Sequence, residues 1–258
     1  MKKYLLCFIV LICTTSCMFK EKMTINENGS GTFSYGFDMS PMFKMGFKSS
    51  DSIKEKQVLD TVFTFKEVFA KAKDSIAKLS KEDQQKIKAL EKFQVAFKVN
   101  EDKKQFEFNM EYNFPSSDSL KNMVSPLEGL EAMPKLGPGK QLGALSAVPE
   151  DEKKKSRFTY NYDGKVFEKI LIGEDAVKTK KVKKKKEKED DNIFAKQMDE
   201  FMKECKYSLE YHFPKRIKTV SLKNAVLSKD RKSFTLDTPI KELPDDEKDM
   251  GFKVVFEN

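Results

Sequence analysis

The amino-acid sequence predicts an α+β fold, a mostly antiparallel β-sheet with one apolar face covered by two or three helices. Two observations lead to this prediction. Many segments alternate large apolar residues with polar ones, which is the period of a strand that is covered on one face only. Tight-turn dipeptides separate some of these segments, and only a few stretches carry apolar residues at helical spacing.

The first predicted element is a β-hairpin close to the N-terminus. Met23 and Ile25 alternate with polar residues, and Asn28-Gly29 is expected to supply the two positive-φ positions of a type I′ turn. The returning strand carries Phe33, Tyr35, Phe37 and Met39 at every second position. All large side chains of this hairpin are therefore expected on one face.

The same alternation continues along the chain and predicts the remaining strands. These segments are Val95–Val99, Phe106–Phe114, Phe158–Tyr162, Val166–Ile172, Tyr207–Phe213, Ile217–Val220, Phe234–Leu236 and Phe252–Phe256. The turn dipeptide Asp163-Gly164 joins two of them.

Helical spacing is confined to a few stretches. Phe65 to Leu79 carries an apolar stripe, and Ser80 is expected to begin a short helix toward Leu90. A further helix is predicted from Asp190 or Asp191 to Met202. These stripes either cover the apolar side of the sheet or bind a partner.

Composition divides the chain into regions. Two stretches are too polar to offset the entropy of ordering, so they are predicted to be a flexible linker and a lysine-rich loop. The predicted regions are a signal peptide at 1–16, an N-terminal β-hairpin, helix and β-hairpin region at 17–133, the linker at 134–156, and a C-terminal β-rich region at 157–258 that contains the loop 178–191. The N-terminal and C-terminal regions are expected to share one sheet.

The first 16 residues predict export. Met1-Lys2-Lys3 is positive, Tyr4–Ile12 is apolar but too short to span a bilayer, and small residues precede Cys17. This pattern resembles the lipobox of bacterial lipoproteins, in which the cysteine is acylated and becomes the mature N-terminus. Thr14 stands where that pattern usually has Leu. The resemblance predicts lipidation of Cys17 and a membrane anchor made of lipid.

The remaining cysteines and the single histidine predict no chemistry. Cys7 and Cys13 leave with the signal and Cys17 is acylated, so Cys205 is expected to stand alone on a helix face. The sequence therefore predicts neither a disulfide nor a cysteine metal cluster. His212 is expected to be an ordinary strand residue, because no second histidine could share a metal or a proton with it.

Catalytic motifs are missing from the sequence. No phosphate-binding loop, dinucleotide fingerprint, zinc-protease motif or nucleophile elbow is present. The prediction is a protein that is not an enzyme, with no catalytic residue, cofactor or metal. A hydrolase that uses paired carboxylates stays open, because two carboxylates have no fixed sequence spacing.

The chain is basic, with a formal net charge of +8. A secreted lipoprotein does not meet nucleic acid, so anionic lipid head groups or envelope proteins are the expected partners. Eight lysines lie between Lys178 and Lys188 and could bind phosphates, or they could form a solvated loop.

Several segments resemble a known group of proteins. They are Tyr211–Ser221, Asn224–Ser228, Ser233–Pro239, Phe252–Glu257 and the hairpin sequence Asn28-Gly29-Ser30-Gly31. These segments are similar to uncharacterised bacterial lipoproteins of the LppM-like family, and the small-residue lipobox resembles those of Bacteroidetes-like bacteria. The resemblance implies an α+β lipoprotein domain and carries over no catalytic residue.

Three functions follow as hypotheses. The first is a non-enzymatic envelope interaction or assembly module, lipid-anchored to the outer membrane. It would face the periplasm, because residues 18–22 lack the acidic cluster that resemblance to surface-export signals would require. The second is a carrier of a hydrophobic or lipid ligand, held on a hollow apolar sheet face. The third is the carboxylate hydrolase.

Overall fold

The structure, a computed structural model, describes residues 17–41, 58–100, 102–121, 123, 157–172, 201, 204–242 and 251–257. Its strands are β1 (Met18–Ile25), β2 (Gly31–Asp38), β3 (Val58–Thr64), β4 (Gln94–Asn100), β5 (Gln105–Phe114), β6 (Arg157–Tyr162), β7 (Val166–Ile172), β8 (Lys206–His212), β9 (Ile217–Val220), β10 (Val226–Leu227), β11 (Ser233–Pro239) and β12 (Phe252–Phe256). Its helices are α1 (Phe65–Lys71), α2 (Lys73–Ile76) and α3 (Lys81–Leu90).

The strands form two sheets. The large sheet has eight strands in the order β10-β11-β8-β1-β2-β5-β4-β3, and the small sheet has four in the order β6-β7-β12-β9. All pairs are antiparallel except β1 and β8, which run parallel in the middle of the large sheet. The predicted class, a mostly antiparallel sheet with a few helices, is confirmed.

The N-terminal hairpin forms as predicted, but its turn differs. β1 pairs with β2 from Met18 opposite Asp38 to Ile25 opposite Gly31. Within the described residues 26–30, only Gly29 has a positive φ, at 79°, so the predicted type I′ turn is wrong. The loop closes instead through bonds from the Gly29 amide to the Asn26 carbonyl (3.0 Å) and from the Asn26 amide to the Ser30 carbonyl (2.8 Å). A five-residue loop places one left-handed residue near its end, where glycine is favoured.

Alternation builds one continuous aromatic face across the large sheet. The cross-strand register places Phe19 opposite Phe37, Phe37 opposite Phe108, and Phe97 opposite Phe108. The ring centroids of these pairs lie 5.8, 5.0 and 6.3 Å apart. Each of these four phenylalanines is less than one-tenth exposed. Aromatic pairs at such distances stabilise a sheet beyond their buried area.

Helices cover one part of this face. α1 begins at a capping box in which the Thr64 side chain and Glu67 bond reciprocally, and Ser80 caps α3 through the Asp83 amide. The helix predicted over Phe65–Leu79 is thus confirmed in position, although it is divided near Ala72 into α1 and α2. The helix predicted from residue 190 to 202 lies outside the described residues, apart from the buried Phe201.

A second sheet covers the rest of the face, which the sequence did not predict. Rings of the small sheet pack on rings of the large sheet, with centroid distances of 5.8 Å for Tyr160 and Phe33 and 5.1 Å for Phe252 and Tyr211. Period-two alternation reveals that a strand has a buried face but not which sheet it joins. The C-terminal strands in fact divide between both sheets.

The opposite face of the large sheet is polar. Thr32 donates a hydrogen bond to Asn113 (2.9 Å), and Lys22 pairs with Glu210 (3.0 Å). The edge strand β3 was not predicted, because Val58 and Val62 stand at outward positions where alternation would place polar residues. These two valines are 66% and 60% exposed. None of the helices in the described part of the chain has the length and apolar content needed to span a bilayer.

Candidate functional site

A buried carboxylate lies on the central strand β1. Glu21 is in phase with the inward-facing Phe19, Met23 and Ile25, so its side chain points between the two sheets. The residue is only 4% exposed and is the one buried carboxylate among the described residues. A charge in this position requires a partner and hydrogen bonds.

Lys169 of the small sheet is that partner. Its Nζ lies 2.9 and 2.8 Å from the two carboxylate oxygens of Glu21, and both side chains are at most 5% exposed. The ammonium group also lies 4.4 Å from the ring centroid of Phe158. This bidentate ion pair joins β1 of the large sheet to β7 of the small sheet.

Three tyrosines complete the surroundings of the carboxylate. Tyr207 donates its hydroxyl proton to Oε2 of Glu21 at 2.7 Å, and Tyr211 donates to Oε1. Tyr160, from the small sheet, lies 3.4 Å from Oε1. With Lys169, these donors leave both carboxylate oxygens hydrogen-bonded without water.

The surroundings of the carboxylate and of the three tyrosines determine the protonation state of these four groups. Burial alone would raise the pKa of Glu21, but the charge of Lys169 and hydrogen bonds from Lys169, Tyr211 and Tyr207 outweigh it and hold that pKa below its ordinary value. Burial raises the pKa of Tyr160, Tyr207 and Tyr211 well above the usual value, and the negative charge of Glu21 raises it further. At neutral pH the site therefore contains an ionised Glu21 carboxylate and neutral phenols.

This cluster is suited to holding the two sheets together. A perturbed pKa in a cleft would suggest proton transfer to a substrate, but this carboxylate is sealed from solvent by the groups that bind it. A buried ion pair instead penalises any packing of the sheets that separates its members. Within the ranges that the structure describes, no three His, Cys, Asp or Glu side chains come together as a metal site requires.

A second feature of β1 corrects a prediction from the sequence. Cys17 and Cys205 form a disulfide, with their Cα atoms 4.7 Å apart, so the exclusion of a disulfide is wrong. Both cysteines come one residue before their strands, and the parallel register pairs the following Met18 with Lys206. Cys205 is therefore neither alone nor on the apolar stripe of a helix, but at the start of β8.

The adjacency of β1 and β8 could not be predicted from the sequence, because their cysteines lie 188 residues apart along the chain. Both cysteines face inward and are at most 1% exposed. A disulfide within one chain is typical of proteins outside the cytoplasm. This agrees with the extracytoplasmic location that the N-terminal segment predicts.

The predicted lipidation of Cys17 concerns the same sulfur atom. An acylated cysteine carries its diacylglycerol on Sγ, so one molecule can hold either the lipid or the disulfide at that atom. Cys17 also contributes its carbonyl to β8 by accepting a hydrogen bond from the Lys206 amide (2.9 Å). Lipidation of Cys17 stays a prediction, with the disulfide as its chemical competitor.

The other residues that the sequence pattern singled out have simpler outcomes. His212 lies in β8 as expected, and its Nε2 lies 2.9 Å from Glu210 on the polar face. The lysine tract from Lys178 to Lys188 lies outside the described residues. Glu21 and Lys169 were not predicted as site residues, although each shows a readable signal, a charge in phase with apolar neighbours on a strand.

Comparison with known proteins gives little beyond the geometry. No protein-family profile matches the sequence, and no curated protein matches it. One solved structure is similar, the folded domain of LppM from Mycobacterium tuberculosis, determined by NMR. Its TM-score is 0.39 with 6% identity, over 93% of this chain and 89% of that chain. A likeness of this size assigns neither a family nor a function to the chain.

Proposed function

We propose that the protein is a cell-envelope lipoprotein, anchored through a lipid on Cys17, that serves as a non-enzymatic interaction or assembly module. Its place would be the periplasmic face of the outer membrane. The observation that carries the proposal is the sealed interior. In the described residues, the charged side chains of the Glu21 cluster bind one another, and the aromatic faces of the two sheets pack against one another. Such a molecule offers its surface to partners.

The position of Cys17 supports a close and oriented attachment. Met18, the next residue, already belongs to β1 in the middle of the large sheet. A lipid on Cys17 would therefore leave no spacer between the bilayer and the folded domain. The end of the large sheet that contains Cys17 would lie at the membrane, and the opposite end would point away from it.

The carrier hypothesis requires a hollow apolar face. Between the described parts of the two sheets the rings are in contact. The ring centroids lie 5.5 Å apart for Phe167 and Tyr211 and 4.9 Å apart for Phe213 and Phe256. A depression on the small sheet, lined in part by Glu168, Ile170 and Lys253, is shallow and open to solvent. Small-molecule sites bury most of the ligand surface, so this packing favours the interaction module.

The hydrolase hypothesis requires two accessible carboxylates that face one another across a cleft. Glu21, the carboxylate with the most unusual surroundings, is bound by Lys169 and tyrosines and is closed to substrate. We therefore place the hydrolase third.

Native mass spectrometry of the protein released from membranes into nonionic detergent tests the proposal. The expected species is the chain from Cys17 with covalent acyl groups and no further lipid. A stoichiometric non-covalent lipid that survives detergent exchange would favour the carrier. A species with the mass of the unmodified chain would refute the anchor.

A further inference from the structure

A basic surface lies at the end of the large sheet opposite Cys17. It consists of two segments, residues 215–218 and 229–232, which we call the basic end. The cationic side chains of these segments are Lys215, Arg216, Lys218, Lys229, Arg231 and Lys232. All except the half-buried Arg231 are exposed.

Hydrogen bonds hold the two segments side by side. The Phe213 amide donates to the Lys232 carbonyl (2.8 Å), and the Ile217 amide donates to the Arg231 carbonyl (2.6 Å). The Arg231 guanidinium donates in return to the carbonyls of Ile217 (2.7 and 3.0 Å) and Lys218 (3.0 Å). The basic end is therefore a preformed surface.

The two arginines are already engaged, but the lysines are not. Glu257 lies 3.0 Å from Arg216 and 3.6 Å from Arg231. Asp230 accepts hydrogen bonds from the Ser228 hydroxyl (2.5 Å) and the Lys232 amide (3.0 Å). The four lysines form no ion pair with any residue in the described part of the chain.

The position of the basic end sets where a partner would be. β8 runs from Cys205 toward His212, and its seven residues span about 23 Å at roughly 3.3 Å each. If the proposed function holds, on which this inference rests, the basic end points away from the bilayer that holds Cys17. Its partner is then a component of the compartment into which the domain projects, which is the periplasm under the proposed function.

We propose that the basic end binds a linear anionic polysaccharide. Ile217, the one large apolar side chain in the two segments, is buried, so the surface lacks an anchor for a protein hot spot or for insertion into a bilayer. Its available charges are lysine ammonium groups, which act as point charges without bidentate geometry. Such groups suit a flexible chain of carboxylates, bound by release of counter-ions.

Binding of polygalacturonate to the full-length protein in nonionic detergent tests the proposal, with neutral dextran as the blank. The variant K215Q/K218Q/K229Q/K232Q removes the four available charges. Its affinity should fall by at least about tenfold at low salt, and the slope of log K against log salt should decrease by about 3. The matched control K66Q/K71Q/K73Q/K78Q removes four exposed lysines from α1, α2 and the turn after α2, and should stay within about twofold of the unmodified protein.

Four results would overturn the proposal, three of them from polymer binding and one from vesicles. The three polymer results are equal binding to dextran, an equal loss in the control variant, and a loss that appears only when Lys183–Lys186 are replaced by Gln. Vesicles of anionic lipid that bind more tightly than the polymer would assign the surface to a membrane and also refute it. C17S should bind the polymer normally, so a failure of the anchor and a failure of the basic end give different results.

Discussion

Glu21 and Lys169 join the two sheets through a bidentate ion pair whose members come from strands 148 residues apart in sequence. Neither strand pairs with the other, so this contact specifies how one sheet lies on the other. Three tyrosine hydroxyls bind the same carboxylate. Aromatic rings of the two sheets pack on one another, and the ion pair penalises any arrangement of the sheets that separates its two charges.

Removing one member of this pair should be severe. Glu21→Gln keeps the shape of the side chain but leaves the Lys169 ammonium group buried without a counter-charge. The free energy of unfolding should fall by about 3–5 kcal/mol, as measured by denaturant melts. The double variant E21L/K169M removes both charges and should recover most of that loss. Equal losses in the single and double variants would show that packing, rather than the charge, is what matters there.

Acid should weaken the fold through Glu21. The pKa of Glu21 is lower in the folded protein than in the unfolded chain, where it has its ordinary value near 4.5. Between these two pKa values the unfolded chain binds the proton and the folded protein does not, so stability is present above pH 4.5 and is lost as the pH falls through the folded pKa. Urea melts across this window should show a steeper pH dependence for the unmodified protein than for E21L/K169M. Parallel curves would exclude Glu21 as the source.

What the sequence predicts and what it misses have separate physical causes. Phe97, Phe106 and Phe108 could be placed on one face, because side-chain alternation is a local property of a strand. The contacts of Glu21 with Lys169 and of Cys17 with Cys205 depend on which strands meet, and that is decided by packing over long sequence separations. Glu21 was not predicted; a charge in phase with apolar residues is the local pattern that could have indicated its burial, but nothing local to β1 identifies its partner.

The two faces of β5 should respond differently to truncation. Phe108 is 2% exposed and packs against Phe37 and Phe97, so Phe108→Ala should lower the free energy of unfolding by about 3–5 kcal/mol. Glu107 points to the polar face and accepts a hydrogen bond from Gln105. Glu107→Ala should change stability by no more than about 0.5 kcal/mol. Denaturant melts of both variants check this contrast, and a severe effect of Glu107→Ala would mean that the polar face is covered.

The disulfide should matter only in molecules whose Cys17 has no lipid. Its two cysteines are 188 residues apart in sequence, so reduction should lower the stability of the unlipidated chain by about 2–5 kcal/mol. Cys205→Ser should have the same effect in that chain and none in lipidated protein. Melts with and without reductant, on protein sorted by intact mass, measure this difference. A reductant effect on the lipidated fraction would contradict the competition for one sulfur atom.

The anchor prediction separates the two cysteines. Cys17→Ser removes the sulfur that would carry the lipid, so labelling with an alkyne fatty acid should disappear and the protein should move from the membrane to the soluble fraction. Cys205→Ser is the matched control, because it removes the same disulfide but leaves the acylation residue in place. It should keep both the label and the membrane association. If the two variants stay in the membrane to the same extent, Cys17 is not the anchor. If both variants move to the soluble fraction, the disulfide, rather than a lipid, maintains the surface that binds the membrane.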